Sequence, residues 1–384
     1  MLIDSKLPNV GTTIFTVMSK LAAEHRAINL SQGFPDFQPP QALAAKVERA
    51  ISEGRNQYAP MAGLEQLRSA IAQMLAAHHG ITADPSDEIT ITSGATEALF
   101  AAIQAVVRPG DEAIVLDPCY DSYVPAIELA GGAAVRVPLK PQTFDIDWER
   151  LAAALSPRTR LVVINSPHNP SGTLLSADDH ARLAGLLRER RCFVVSDEVY
   201  EHVTFDGRRH SSVLANRELA ERSFAVFSFG KTYHATGWKV GYCVAPKPLS
   251  AELRKVHQYL TFSTSTPMQH AIAEFLVEEP AHYRELGAFY QARRDYFVNA
   301  LSATAFTPLQ CQGTYFQLAD YGNVSDLDDV EFCTRLTVEH GVAAIPISVF
   351  CANAPQRQRL VRFCFAKDYP TLDAAIQRLQ SIRA

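Results

Sequence analysis

The chain has 384 residues, 47% hydrophobic and 20% charged, an ordinary globular composition that excludes a mostly disordered or collagen-like protein. Its 36 Lys and Arg against 41 Asp and Glu leave a net charge of −5, so no global basic field draws nucleic acid or anionic lipid. At roughly 100 to 200 residues per domain the length suits two or three domains.

In chain order, the stretch Met1 to Lys20 carries Asp4, Lys6 and Lys20 and no apolar run long enough for a signal segment or a membrane span. The expectation is a cytoplasmic protein with no membrane or nucleic-acid partner. Gly33-Phe34-Pro35-Asp36-Phe37-Gln38-Pro39-Pro40 reads as a rigid, turn-rich loop. Leu64 to His78 has apolar positions at three- and four-residue spacing and predicts a helix. Ile89 to Thr92 reads as a strand, followed by the small-residue turn Ser93-Gly94-Ala95-Thr96 and a helix from Glu97 to Val107. Free N–H groups at such a helix start suit a phosphate, although a simple capping turn accounts for the pattern equally well.

Further short β-branched runs occur at Ala113 to Asp117, Leu161 to Asn165, Cys192 to Ser196, Phe224 to Phe227 and Val240 to Val244, separated by helical stretches such as Ala177 to Arg190. This alternation is an α/β pattern. Leu161-Val162-Val163-Ile164 lacks polar alternation, which predicts strands covered by helices on both faces, as in parallel sheets. After about residue 275 the pattern changes to a long helix, Ala281 to Leu301, and strands at Thr314 to Ala319 and Leu360 to Phe365, expected to form a smaller α+β domain. The seven cysteines, at 119, 192, 243, 311, 333, 351 and 364, are odd in number and scattered, and read as small apolar residues in a reducing compartment.

Four segments carry chemistry. Ser228-Phe229-Gly230-Lys231 through Lys239 comes after a strand; an arbitrary lysine there is a solvated charge, but Ser228 and Lys239 would serve a phosphate and leave Lys231 free as a nucleophile. Asn165-Ser166-Pro167-His168-Asn169-Pro170 is by itself an Asn-Pro turn, and Asp197 in Ser196-Asp197-Glu198-Val199-Tyr200 is by itself a helix cap. Arg362 sits inside the apolar strand Val361 to Phe365, where an unpaired charge costs several kcal/mol, so it needs an anionic partner.

Taken together and in this order, these segments resemble the class I pyridoxal-phosphate aminotransferases of fold type I, over roughly residues 5 to 380. The resemblance implies a large domain with a mostly parallel seven-stranded sheet between helices plus a smaller α+β domain. It divides the chain into an N-terminal arm (1–40), a large cofactor-binding domain (41–275) and a small domain (276–384). It implies pyridoxal 5'-phosphate as cofactor, carried by Lys231, with Ala95, Thr96, Ser228 and Lys239 on its phosphate and Tyr120 stacked on its ring. Asp197 takes the ring nitrogen, and Asn169 and Tyr200 take the phenolic oxygen. Gly33, Asn169 and Arg362 then face the substrate, with Arg362 as a bidentate clamp on its carboxylate.

Tyr58 in Asn56-Gln57-Tyr58 resembles the tyrosine that reaches the phosphate of the neighbouring subunit, which implies a homodimer with shared active sites. Lys239 departs from many relatives, which have arginine there. Gln32 to Phe37, Ile345 to Phe350 and Arg362 to Phe365 are similar to the methionine and kynurenine aminotransferase branch. That branch implies methionine, glutamine or aromatic donors, a 2-oxo acid acceptor, and a pocket with Phe34, Tyr120, Phe262, Tyr315 and Phe350. Ser263, where some relatives have histidine, weighs against an aromatic preference. The competing expectations are a cysteine-S-conjugate β-lyase using the same site and a non-catalytic binding protein of the same fold.

Overall fold

The computed structural model describes residues 4–353 and 358–382. Its centre is a seven-stranded sheet in the spatial order Ile89–Thr92, Gly241–Val244, Ser223–Ser228, Phe193–Asp197, Thr159–Asn165, Glu112–Asp117, Ala133–Pro138. Neighbours run parallel except Gly241–Val244, which is antiparallel to both strands it touches. The α/β, mostly parallel architecture is therefore present as expected.

Burial explains why these strands do not alternate in sequence. Val162 and Ile164 point into one apolar core while Leu161 and Val163 point into a second on the opposite face, and Ala225 and Phe227 are divided from Phe224 and Val226 in the same way. Both faces are dry, so every position prefers an apolar residue, each worth about 1.5–3 kcal/mol on burial. The helix Ala95–Val106 lies on one face, and its Ala98, Ala101, Ala102 and Ala105 let it approach the strands closely.

Beyond the sheet, the helices Thr266–Glu278 and Pro280–Ser302 are separated by Glu279 alone. Pro280 has no N–H to continue the first helix, so the chain turns there and starts the second. The C-terminal part of the chain builds a four-stranded antiparallel sheet, ordered Ile345–Pro346, Leu360–Cys364, Phe316–Asp320, Thr307–Pro308. Ile28–Asn29 pairs in parallel with Val342–Ala343, which ties the N-terminal segment to this region.

Several boundaries differ from expectation for identifiable reasons. Thr314 is left-handed (φ 68°), so the strand expected from Thr314 starts at Phe316. The helix expected to reach His78 ends at Met74 and widens into a π turn, Leu75–His79, closed by Gly80 at φ 68°. The edge strand Ala133–Pro138 has no counterpart among the expected strands: it is half-exposed, interrupted by Arg136, and lacks the apolar run that marks the central strands. All seven cysteines are unpaired and only Cys351 is not fully buried.

Candidate active site

Six strands that run in the same direction end at one edge of the sheet, and the loops and helix starts beyond those ends converge on one cavity of about 340 Å³. Open α/β sheets bind ligands at this edge, because the connections leaving the strands' carboxyl ends surround a common crevice. Ala95, Thr96, Tyr120, Asn169, Asp197, Tyr200, Ser228, Lys231, Lys239, Gly33 and Arg362 all line it. Eleven of the twelve residues singled out from the sequence are thus gathered in one place. Tyr58 is the exception: it is 82% exposed and stacks edge-on with Phe262, away from the cavity of its own chain.

One end of the cavity is an anion cup. The helix Ala95–Val106 begins there with Gly94 as N-cap, and no side chain caps its first N–H groups. Gly94 has φ 80°, and a Cβ at that position would lie 3.3 Å from Lys239 Nζ, so the ammonium rests directly on the turn. Lys239 itself is left-handed (φ 54°), which folds its side chain back over the turn. Ser228, at the end of the neighbouring strand, supplies a hydroxyl to the same region.

The middle holds Asp197 and Lys231. Asp197 is 4% exposed, accepts a 2.6 Å hydrogen bond from the Tyr123 hydroxyl, and has its pKa raised to about 6 by burial. Lys231 stands on the short helix Phe229–Thr232 and donates to the Tyr315 hydroxyl (2.9 Å) and the Gly33 carbonyl (3.3 Å). Its surface is only half-buried, yet enclosure by the cavity walls lowers its pKa to about 8. An amine near neutrality can lose and regain its proton, which a solvated lysine cannot do at pH 7.

The far end is made by the small sheet. Arg362 is 1% exposed, sandwiched against Phe316 at 3.8 Å, and lowered to about 10 by burial. It donates through Nη1 to Asn169 Oδ1 (2.7 Å) and through Nη2 to the Ser31 carbonyl (3.3 Å), and its Nε has no partner. Among the described residues no carboxylate forms a salt bridge with it, so a protein ion pair, the alternative left open by the sequence, is not what holds it. Asn169 is fixed in turn by its own N–H on Asn165 Oδ1, and Asn165 Nδ2 on the Asp197 carbonyl. The Asn-Pro turn and the aspartate strand are thereby one rigid unit.

Of the aromatic pocket residues, Tyr120 lines the cavity, Tyr315 touches Lys231, and Phe350 is buried beside Arg362. Phe34 (46% exposed) and Phe262 (45%) instead lie outside it in this chain. Sequence reading missed Tyr123, Phe15 and Phe316. The position of Tyr123 three residues after Tyr120, at the start of the helix Tyr123–Leu129, is a signal that points to it; Phe15 and Phe316 arrive from distant segments and carry no local signal.

Fold and site define a transferase of fold type I, which the solved structures bear out. The family described as aminotransferase class I and II matches residues 25–379; the chain belongs to it and is a transaminase. It is 57% identical to a methionine aminotransferase of Escherichia coli (strain K12) over 98% of each chain. A solved structure from Escherichia coli, described with a methionine aminotransferase function, superposes with a TM-score of 0.97 over 99% of this chain and 100% of that one, at 57% identity. A probable N-succinyldiaminopimelate aminotransferase of Mycobacterium tuberculosis is 41% identical over 98% of this chain and 97% of that one. Human kynurenine–oxoglutarate transaminase 1 is 33% identical over 94% and 93%.

Proposed function

We propose that this transaminase uses pyridoxal phosphate and takes methionine, or another amino acid with a large apolar side chain, as amino donor to a 2-oxo acid. The observation that carries the reading is Arg362: a buried guanidinium without an acidic protein partner, facing Lys231 across a cavity walled by Phe15, Leu99, Val240 and Phe316. A fork of N–H donors in that setting suits a substrate carboxylate, and the apolar wall suits a side chain extending past the α-carbon.

The residues fit a phosphorylated pyridine. The uncapped helix start at Ala95 and Thr96, Ser228 and the Lys239 ammonium would hold the phosphate. Tyr120 would cover one ring face, Asp197 would accept from the ring nitrogen, and Asn169 and Tyr200 would serve the phenolic oxygen. Pyridoxal phosphate, when bound, supplies the electron sink that lets a proton leave the substrate's α-carbon. Lys231 would carry the cofactor and would hold or move that proton, for which an amine near pKa 8 is suited. Tyr315 and the Gly33 carbonyl orient its Nζ meanwhile.

Among the described residues the lining contains no cation beyond Lys231, Lys239 and Arg362, and the first two would be engaged with the cofactor. A second carboxylate on the substrate, as in aspartate, would find no further cation in this chain's own lining, and identity points the same way, at 57% to the methionine relative against 41% to the N-succinyldiaminopimelate one. The same reading makes the protein a cytoplasmic homodimer, with Tyr58 reaching the partner subunit's phosphate, and divides the chain into 1–40, 41–275 and 276–384, with the lysine and the clamp on different domains.

The test is an absorbance spectrum of the purified protein before and after L-methionine and, separately, L-aspartate, with Lys231→Ala as control. A visible cofactor band that methionine shifts, aspartate hardly moves and the variant lacks is the expected result. Absence of any cofactor band overturns the cofactor assignment, and a stronger response to aspartate overturns the donor.

A further inference from the structure

A second cluster of polar side chains lies on the outer side of the segment that carries Asp197 and Tyr200. The π turn Leu75–His79 brings His78 and His79 against His202, and one imidazole nitrogen from each lies within 4.8 Å of the others. The rings are in contact: His78 to His79 at 4.6 Å, His78 to His202 at 5.1 Å, and His79 to His202 at 6.0 Å. His78 is exposed while His202 is buried, so the group opens to solvent on one side only.

Two buried carboxylates back it. Glu201 Oε2 pairs with His79 Nε2 at 2.7 Å, and Glu201 Oε1 lies 3.4 Å from His202 Nε2 and accepts from the Tyr242 hydroxyl. Glu198 pairs with His210, whose ring meets His79 edge-on. The Nδ1 of His202 is buried with no hydrogen-bond partner, unusual for a group of this kind. Packed against the group is helix Pro280–Ser302, whose Tyr283 meets the rings of His78 and His202 and whose Arg284 brings a positive charge close to His78.

We propose that His78, His79 and His202 form a site for a divalent first-row metal ion of imidazole preference, with Zn²⁺ as its representative. Three imidazoles are a ligand set that zinc accepts, and a carboxylate hydrogen-bonded to a ligating histidine orients its ring, as Glu201 does for His79. Bonds of about 2.0 Å in a tetrahedron need nitrogens about 3.3 Å apart, so the ligands must close by rotation, chiefly of the exposed His78. The bound ion would tie the π turn to the turn Glu198–His202, which begins directly after Asp197. Its consequence is structural, a clasp behind the cofactor floor, and the transamination chemistry does not pass through it.

The experiment is calorimetric titration of zinc chloride into holoenzyme stripped of metal by chelator and dialysis, comparing wild type with His78→Gln and with the distant, exposed His25→Gln. One ion per chain is expected, with affinity reduced at least tenfold by H78Q and unchanged by H25Q. X-ray absorption at the zinc edge should give nitrogen scatterers at about 2.0 Å. Lack of binding, equal binding by H78Q, or sulfur scatterers at about 2.3 Å, which would assign the ion to cysteines, each overturns the proposal. Methionine turnover of metal-free H78Q serves as the folding control, since His78 touches nothing in the active site.

Discussion

Asp197, proposed to face the cofactor's ring nitrogen, shows what such a position costs its own fold. The side chain is held by Tyr123 and by the Val199 N–H, yet burial dominates and raises its pKa from the ordinary 3.8 to about 6. A folded-state pKa above the unfolded one favours the protonated form. The associated stability is present below about pH 4 and is lost as pH rises through 6. Two units at 1.36 kcal/mol each make this about 3 kcal/mol at pH 7 in cofactor-free protein. Asp197→Asn keeps an acceptor for Tyr123 and removes the charge. Cofactor-free D197N should therefore melt above wild type at pH 7, with the gap shrinking toward pH 4, while its transaminase turnover falls about a hundredfold or more because the ring nitrogen loses its carboxylate. A gap of the same size at both pH values would contradict the burial account. Arg362→Lys keeps the charge but not the fork. Losing one charge-assisted hydrogen bond, about 1.5–3 kcal/mol, should lower kcat/KM for methionine roughly 10–100-fold, mostly through KM. Steady-state kinetics showing an unchanged KM would remove Arg362 from carboxylate binding.

At the scale of elements, the proposed phosphate site depends on one strand lying unusually close to one helix start. A Cβ on Gly241 would meet the Phe227 carbonyl oxygen at 2.6 Å, the Ala95 nitrogen at 2.9 Å and the Gly94 carbonyl carbon at 3.0 Å, all backbone atoms that cannot swing aside. Gly241→Ala should push the helix Ala95–Val106 off the sheet, costing about 1–3 kcal/mol of stability and loosening the cofactor. Denaturant unfolding and cofactor release after dialysis would read both, and a variant with normal stability would mean the cup tolerates a shift. The same packing explains what sequence could reveal. Strands such as Thr159–Asn165 are legible because both faces are buried, and the motifs at their ends are legible because the sheet edge demands small and polar residues there. Ala133–Pro138, at the sheet's border, is half-exposed and reads like a loop. Phe15 and Phe316 are hidden for a different reason: each is an ordinary apolar residue locally, and only tertiary packing sets them against Arg362.

The whole molecule leaves one assigned residue unused within its own chain. Tyr58 is 82% exposed and Phe262, stacked on it at 5.2 Å, is 45% exposed, so two aromatic rings stand together in water beside the segment that carries Ser263. Burying an aromatic pair is worth more than burying its rings singly, and such a pair exposed on a surface marks a place where another surface fits. If that surface is a second copy, Tyr58 leaves solvent and its hydroxyl can reach the partner's anion cup, adding one donor to the uncapped helix start at Ala95 and the Lys239 ammonium. Sedimentation should then give twice the 42.3 kDa chain mass. Tyr58→Phe should preserve that mass, since the ring still packs, but release cofactor roughly 10–100-fold faster for want of one hydrogen bond to a charged group. Tyr58→Ala should weaken both association and cofactor retention. A monomer with wild-type cofactor retention in either variant would confine the active site to a single chain and remove Tyr58 from it.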